Sequence, residues 1–280
     1  MKTAIPEELK RELPQTRWGK ILTVTPVVMT VVATLLAGLA SSEMTRAQYE
    51  RALGAQIQSK AGDQWGYFQA KKLRGAMQKN SLELLQAIGE VRPTDAALLA
   101  KLPVPAELRL DPAVQSALDA SEAQKPELEV AALVRAVPEP VIQSSLKSAR
   151  EVAEAFEVAS SPLLRELDRM EKELPKGDRD AARDFAGTRM RINAARYESE
   201  ARLNQVVAQL LELQVRKVNL AAERHRSRSG KFFLGMLSAQ AAVIIATFAI
   251  ATQKRNFLWS VAAVAGVAAI AFAIYVYLQV

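Results

Sequence analysis

The hydrophobic pattern along this chain has two modes. Three stretches are apolar throughout and carry no charge: ILTVTPVVMTVVATLLAGLA (21–40), FFLGMLSAQAAVIIATFAIAT (232–252) and FLWSVAAVAGVAAIAFAIYVYLQV (257–280). Each is close to the ~20 residues that a helix needs to cross a hydrocarbon layer of about 30 Å. Lipid offers no partners to backbone N–H and C=O groups, so all three are expected as helices. Trp18, Trp259, Tyr275 and Tyr277 fall near their ends, where amphipathic rings favour the interface. The first stretch, with AGLA at its end, has the outline of a signal peptide. Its apolar run is longer than the ~7–15 residues of a signal core, so an uncleaved anchor is expected.

Between the first two stretches the pattern is polar with a helical period. Ile142, Leu146, Ala149, Ala153, Phe156, Ser160, Leu163, Leu167, Met170 and Leu174 follow one another at alternating intervals of four and three, the seam of a coiled coil. Pro162 falls inside that seam, and Ser160 and Ser161 before it predict a kink or a fresh helix start. Phe185, Ile192, Ser199, Val206, Leu213 and Leu220 recur every seven residues. Strand-like alternation is lacking, and strong helix formers dominate. Breakers are concentrated: seven of the 12 prolines lie between Pro93 and Pro140, and PKGD follows at 175–178.

The expected fold class is all-α. Three transmembrane helices carry a long antiparallel helical hairpin that a third helix joins in a coiled-coil-like stalk. The segments are a tail (1–20), span 1 (21–40), a long stalk helix (41–91) and a Pro-rich region of short helices (92–140). A heptad helix (141–174), a long return helix (181–231), span 2 (232–252), a basic turn (253–256) and span 3 (257–280) complete the chain. Thr94 and Asp111 are suited to cap short helices.

Length fixes the pairing. The outgoing and returning legs each hold about 50 residues, or roughly 75 Å of helix. One leaves the membrane and the other comes back, so facing residues should have numbers adding to about 272. That rule sets Trp65 opposite Val207 and Phe68 opposite Asn204. Of the seven aromatic residues between 41 and 231, three lie in the segment QSKAGDQWGYFQAKKLR, 58–74. Trp65 and Phe68 share a face, and Gly62 and Gly66, four apart, would clear a strip for a neighbouring backbone. Gly62, Trp65, Gly66 and Phe68, with Leu203, Val206, Val207 and Leu210 opposite, form the candidate helix-packing seam or partner patch.

QSKAGDQWGYFQAKKLR resembles the signature of the domain-of-unknown-function family 4337, bacterial membrane proteins with a QSKxxDQWxxYQAK-like core. ERHRSRSGKFFLGMLSAQAAV followed by QKRNFLW is similar to that family's basic approach to a paired C-terminal span. The resemblance covers roughly 41–80 and 200–280. Phe68 stands where the family pattern commonly has Tyr, which argues against a functional hydroxyl there. The resemblance implies a helical inner-membrane protein and supplies no established activity.

Charge changes the picture of partners. The formal balance of +7 is uneven. The tail 1–20 carries five basic and three acidic residues, and 216–231 carries six basic residues against one Glu. The remainder of the soluble region, 41–215, holds 24 basic and 26 acidic residues. Basicity therefore gathers at the membrane edges, where Arg224, Arg226, Arg228, Lys231, Lys254 and Arg255 form a cluster suited to lipid headgroups. A nucleic-acid binder needs a basic face on its soluble part, so nucleic acid is not an expected partner. Basic short segments stay cytoplasmic, which predicts a multi-pass bacterial inner-membrane protein with a cytoplasmic N-terminus and residues 41–231 in the periplasm.

Candidate chemistry is sparse. The absence of Cys and the single His225, in ERHRSRSGK, argue against a metal site or a nucleophile–histidine pair, and no enzyme activity or cofactor is expected. His225 reads as solvated or facing headgroups. The spans contain no ionisable residue, which argues against an ion pathway. Gln240, among Thr30, Thr34, Ser238 and Thr247, is the candidate polar contact within the membrane. Ala262, Gly266, Ala269 and Ala273 give span 3 one smooth face. The leading expectation is a non-enzymatic scaffold, spacer or sensor-like protein. Its partners would be the bilayer and either a second copy or another membrane or periplasmic protein. The alternative is an oligomeric channel or transport accessory subunit with span 2 lining its pore.

Overall fold

The structure is a computed structural model that describes residues 17–92, 96–251 and 255–279. These residues form helices without any strand. They are α1 (Arg17–Ile88), α2 (Ala96–Ala100), α3 (Pro112–Glu122), α4 (Glu127–Ala136), α5 (Glu139–Glu173), α6 (Arg179–Ala251) and α7 (Arg255–Gln279). The expected all-α class is what is found. Span 1 and the outgoing leg are one helix, as are the returning leg and span 2. The tail before residue 17, Thr94 and Lys254 lie outside the described residues, as do the side chains of Trp18 and Arg255.

Local chemistry explains the boundaries. Asp111 caps α3, its side chain accepting from Ala113 N at 2.9 Å, and Pro112 occupies the first turn, where its missing N–H costs nothing. Gly177 takes φ +93° in the PKGD turn, a conformation that a side chain disfavours. Asp178 then accepts from Ala181 N at 3.0 Å and starts α6. Of the two outcomes expected at Pro162, the fresh helix start is not made: α5 runs through it. Ser160 and Ser161 donate back to the carbonyls of Phe156 and Glu157, at 2.7 and 3.1 Å, instead of capping a new helix. Phe156, Leu163 and Leu167, on both sides of the proline, remain buried, so packing holds the helix where the local signal would end it.

The chain forms two compact units, Ala52–Leu220 and a second that joins Met1–Arg51 to Ala221–Val280. In the first, the larger apolar cluster joins Ile57 and Ala61 of α1 to Val114 and Leu118 of α3, Val130 and Val134 of α4, Ile142 and Leu146 of α5, and Val207, Leu210 and Leu213 of α6. A smaller cluster gathers Leu98, Leu163, Leu167, Phe185 and Ile192. The seam residues of α5 are on its buried side, and Phe185, Ile192 and Leu213 are buried on α6.

Three helices are long and apolar enough to cross a membrane, within α1, α6 and α7. In the second unit they meet through small residues. Ala33, Ala239, Ala262 and Ala269 are buried, and a Cβ at Gly266 would lie 2.5 Å from Met29 Sδ. Such close approach is how helices associate in lipid, where dispersion contacts do the work that water would otherwise drive. The smooth face expected on α7 is therefore in use.

Candidate functional site

The segment 58–74 lies wholly within α1, on the Ala52–Leu220 unit. Trp65 and Phe68, three residues apart, are both half-buried and meet edge to face, with ring centroids 5.3 Å apart and planes at 80°. That geometry sets the positive edge of one ring against the negative face of the other. The indole N–H of Trp65 donates to Glu212 Oε1 of α6 at 2.8 Å. Beside it, Leu118, Ser121, Glu122, Gln209, Glu212, Leu213 and Arg216 line a small cleft of about 190 Å³. Gln209 donates to Glu122 there, and the Ser121 hydroxyl is buried without a partner among the described residues.

Phe68 borders a second groove between α1 and α6, of about 330 Å³, with Lys72, Gly75, Lys79, Ala194, Glu198, Ala201 and Arg202 around it. Lys72 Nζ sits 5.5 Å from the Phe68 ring centroid, within cation–π range. Lys79 and Arg202 bond Glu198 at 3.0 and 2.6 Å, and these hydrogen bonds, Lys79's foremost, hold its carboxyl below the usual range. Two residues on, Glu200 is buried, with Lys71 Nζ 2.5 Å from Oε2 and Arg196 3.5 Å from Oε1. Neither carboxylate oxygen has a well-directed hydrogen bond, so this triad is ionic in character. Arg196 and Lys71 also lie over the Tyr197 ring, at 4.6 and 5.8 Å from its centroid.

The facing rule is visible in these contacts. Gln64 bonds Asn204, Lys71 pairs with Glu200, and the nearest heavy atom to a Cβ at Gly75 is Tyr197 Cβ at 3.5 Å. Leu203, Val207 and Leu210 are buried and Val206 is half-buried. Val207 and Leu210 belong to the core that α3, α4 and α5 share. Trp65, set opposite Val207 by the rule, donates instead to Glu212, five residues further along α6.

Two readings are corrected. A Cβ at Gly62 or Gly66 would meet nothing within 4 Å, so the close approach expected there is not made. Within the Ala52–Leu220 unit the tight glycines are Gly187, where a Cβ would lie 2.6 Å from Val91 Cγ1, and Gly54, 2.9 Å from Asn219 Oδ1. Both glycines of the motif fall on the side of α1 that faces away from α6. His225, expected to be solvated or to face headgroups, is not solvated: it is half-buried with Nδ1 2.6 Å from Glu43 Oε2. Glu43 lies just beyond the first apolar run, and in low dielectric it needs a partner.

Gln240 is exposed on α6. Thr30, Thr34 and Thr247 return their hydroxyls to carbonyls one turn back in their own helices. Arg224 and Arg226 are exposed, whereas Arg228 and Lys231 are half-buried. Among the described residues no group of His, Asp or Glu gathers in a metal-holding arrangement.

Sequence reasoning missed Glu212, Gln64, Asn204 and the Lys71–Glu200–Arg196 triad. Asn204 and Glu212 did carry a signal, as polar residues inside the most apolar part of the returning leg. The triad is a tertiary pairing with no local signature.

Fold and contacts define an all-helical protein with three helices suited to crossing a membrane and a packed helical unit between the first two. Residues 18–132 match the model of a family, Domain of unknown function (DUF4337), and so bear out the resemblance carried by QSKAGDQWGYFQAKKLR. The match extends through α2 and α3 into α4, beyond the residues that carried the resemblance, and ends before 200–280. No curated protein and no solved structure matches the chain.

Proposed function

We propose that this protein is a non-enzymatic scaffold of the bacterial inner membrane, whose helical unit presents a contact face to a protein partner. The N-terminus would be cytoplasmic and residues 41–231 periplasmic, as the basic short segments favour. One observation carries the reading. On the outgoing leg, Leu73, Met77, Leu84 and Ile88 are 58–86 % exposed, on a helix whose other side is packed. Large apolar side chains clustered on a surface helix mark sites of protein interaction. The partner is a second copy or another membrane or periplasmic protein.

Photo-cross-linking from Met77 in native membranes tests this face. A defined adduct that disappears in Leu73→Lys/Leu84→Lys, with thermal unfolding unchanged, supports the reading; an adduct-free Met77 probe contradicts it. Single cysteines at Ser41 and Lys254 test the orientation. An impermeant thiol reagent should label Ser41→Cys in intact cells and spare Lys254→Cys.

The channel reading keeps one supporting feature, the outward position of Gln240, which only an oligomer could turn toward a pore. Ion flux through proteoliposomes that is lost in Gln240→Leu would favour it over the scaffold.

A further inference from the structure

Where the first apolar run gives out, α1, α6 and α7 enclose a cleft of about 480 Å³. Leu39, Phe232 and Tyr277 give it an apolar wall, and Glu43, Arg46 and Arg228 give it a charged one. The site is built rather than incidental. Phe232 is buried against Leu36 and Ala40, and the buried Ser229 hydroxyl donates to Ala40 O at 2.7 Å, which fixes α6 against α1 at this level.

The charges inside the cleft are unequally satisfied. Glu43 is occupied, with Oε2 2.6 Å from His225 Nδ1 and Oε1 3.5 Å from Arg46. Arg228 Nε is buried and has no partner among the described residues. A buried guanidinium N–H without an acceptor is costly, and its planar fork matches the oxygens of phosphate. Two guanidinium groups and one carboxylate line the cleft, an excess of positive charge suited to an anion, next to a wall that favours hydrocarbon.

We infer that this cleft binds the phosphodiester headgroup of a phospholipid. The phosphate accepts from the guanidinium of Arg228 where it lines the cleft and from that of Arg46, and the glycerol and first acyl carbons lie along Leu39 and Phe232. A free phosphate ion would satisfy the arginines but leave the apolar wall unused. Exposed Arg224 and Arg226 attract an anionic surface in general and belong to no such pocket. The inference rests on the three helices crossing a bilayer and does not depend on the scaffold role.

Native mass spectrometry of the full chain in detergent, with added phosphatidylglycerol, tests it. One phosphatidylglycerol should be retained per chain, and diacylglycerol, which lacks the phosphate, should not. Occupancy should fall by at least about tenfold in Arg46→Gln/Arg228→Gln, since one charge-assisted hydrogen bond alone accounts for that much. Ser42→Trp, which fills the cleft without removing charge, should lose the lipid equally, while Arg224→Gln/Arg226→Gln keeps it. All these chains should stay in the membrane fraction with an unchanged melting temperature. If the arginine variant fails to fold, Ser42→Trp and the two lipids decide alone. Equal loss in Arg224→Gln/Arg226→Gln would overturn the site in favour of diffuse attraction. Displacement of the lipid by millimolar inorganic phosphate would overturn the lipid as its source.

Discussion

Within the Ala52–Leu220 unit the two long legs differ in a way that their compositions hide. The α6 leg is almost wholly enclosed: from 183 to 220 only Arg202 and Asn219 are exposed. Ile192, Leu210 and Leu213 on it have essentially no accessible surface. The α1 leg contributes Ile57 and Ala61 to the main core and otherwise lies along its flank, with Tyr67, Leu73, Met77, Leu84 and Ile88 exposed. The legs are matched in length and register but not in role, since α3, α4 and α5 contribute to the core around α6. One helix is the axis of the unit, and the other is its face.

That difference should appear first in stability. Leu210→Ala removes a fully buried side chain from the axis and should cost about 2–5 kcal/mol. Met77→Ala on the face should stay within about 0.5 kcal/mol. Thermal unfolding of the full chain in detergent, followed by circular dichroism, measures both. Equal losses would erase the distinction between axis and face.

Glycines sharpen it next. Gly187→Ala on α6 drives a methyl into Val91 and should destabilise by about 1–3 kcal/mol. Gly62→Ala on α1 adds a methyl to open space in a helix interior and should stabilise by about 0.5–1 kcal/mol. Opposite signs are expected in the same melting experiment.

The contact between axis and face comes third. Trp65→Phe keeps one aromatic ring but removes the rest of the indole with the N–H donated to Glu212, at a cost of about 1 kcal/mol for the hydrogen bond and more for the lost packing. A double-mutant cycle with Glu212→Ala should show coupling of the hydrogen bond's size; strict additivity would place the indole elsewhere.

The smallest effect is electrostatic. The Glu198 carboxyl is held below its ordinary value, chiefly by Lys79 and then by Arg202. A depressed folded value means that its contribution is present above the unfolded carboxylate range and is lost as pH falls through the folded value. The side chain is 44 % exposed, so the amount is at most about 1 kcal/mol. Glu198→Gln should therefore flatten the acid side of the stability profile and leave little change in high salt.

Much of this architecture was legible because the signals were periodic. The four–three spacing on α5 named the buried side of that helix, and equal leg lengths gave a register that Gly75 with Tyr197 and Lys71 with Glu200 obey. Asp111–Pro112 announced the start of α3. Local signals for a fresh helix start misled where packing overrode them, as at Pro162, with Ser160 and Leu163 buried on either side. The inequality of the legs was not legible, because it depends on which side α3, α4 and α5 occupy. Glycine spacing alone could not say which neighbour would come close, so Gly62 and Gly66 were read as gaps while Gly187 makes the contact. The pairing of His225 with Glu43 spans 182 residues and has no trace in either local sequence.

The central claim is the facing register of α1 and α6, and the cysteine-free chain allows one direct measurement of it. A Cβ at Gly75 lies 3.5 Å from Tyr197 Cβ, within the reach of a disulfide. Under mild oxidation, Gly75→Cys/Tyr197→Cys should close rapidly into an intramolecular bond, whereas Gly75→Cys/Asn204→Cys, two turns away, should stay reduced. Closure of the shifted pair, or of neither, would contradict the account.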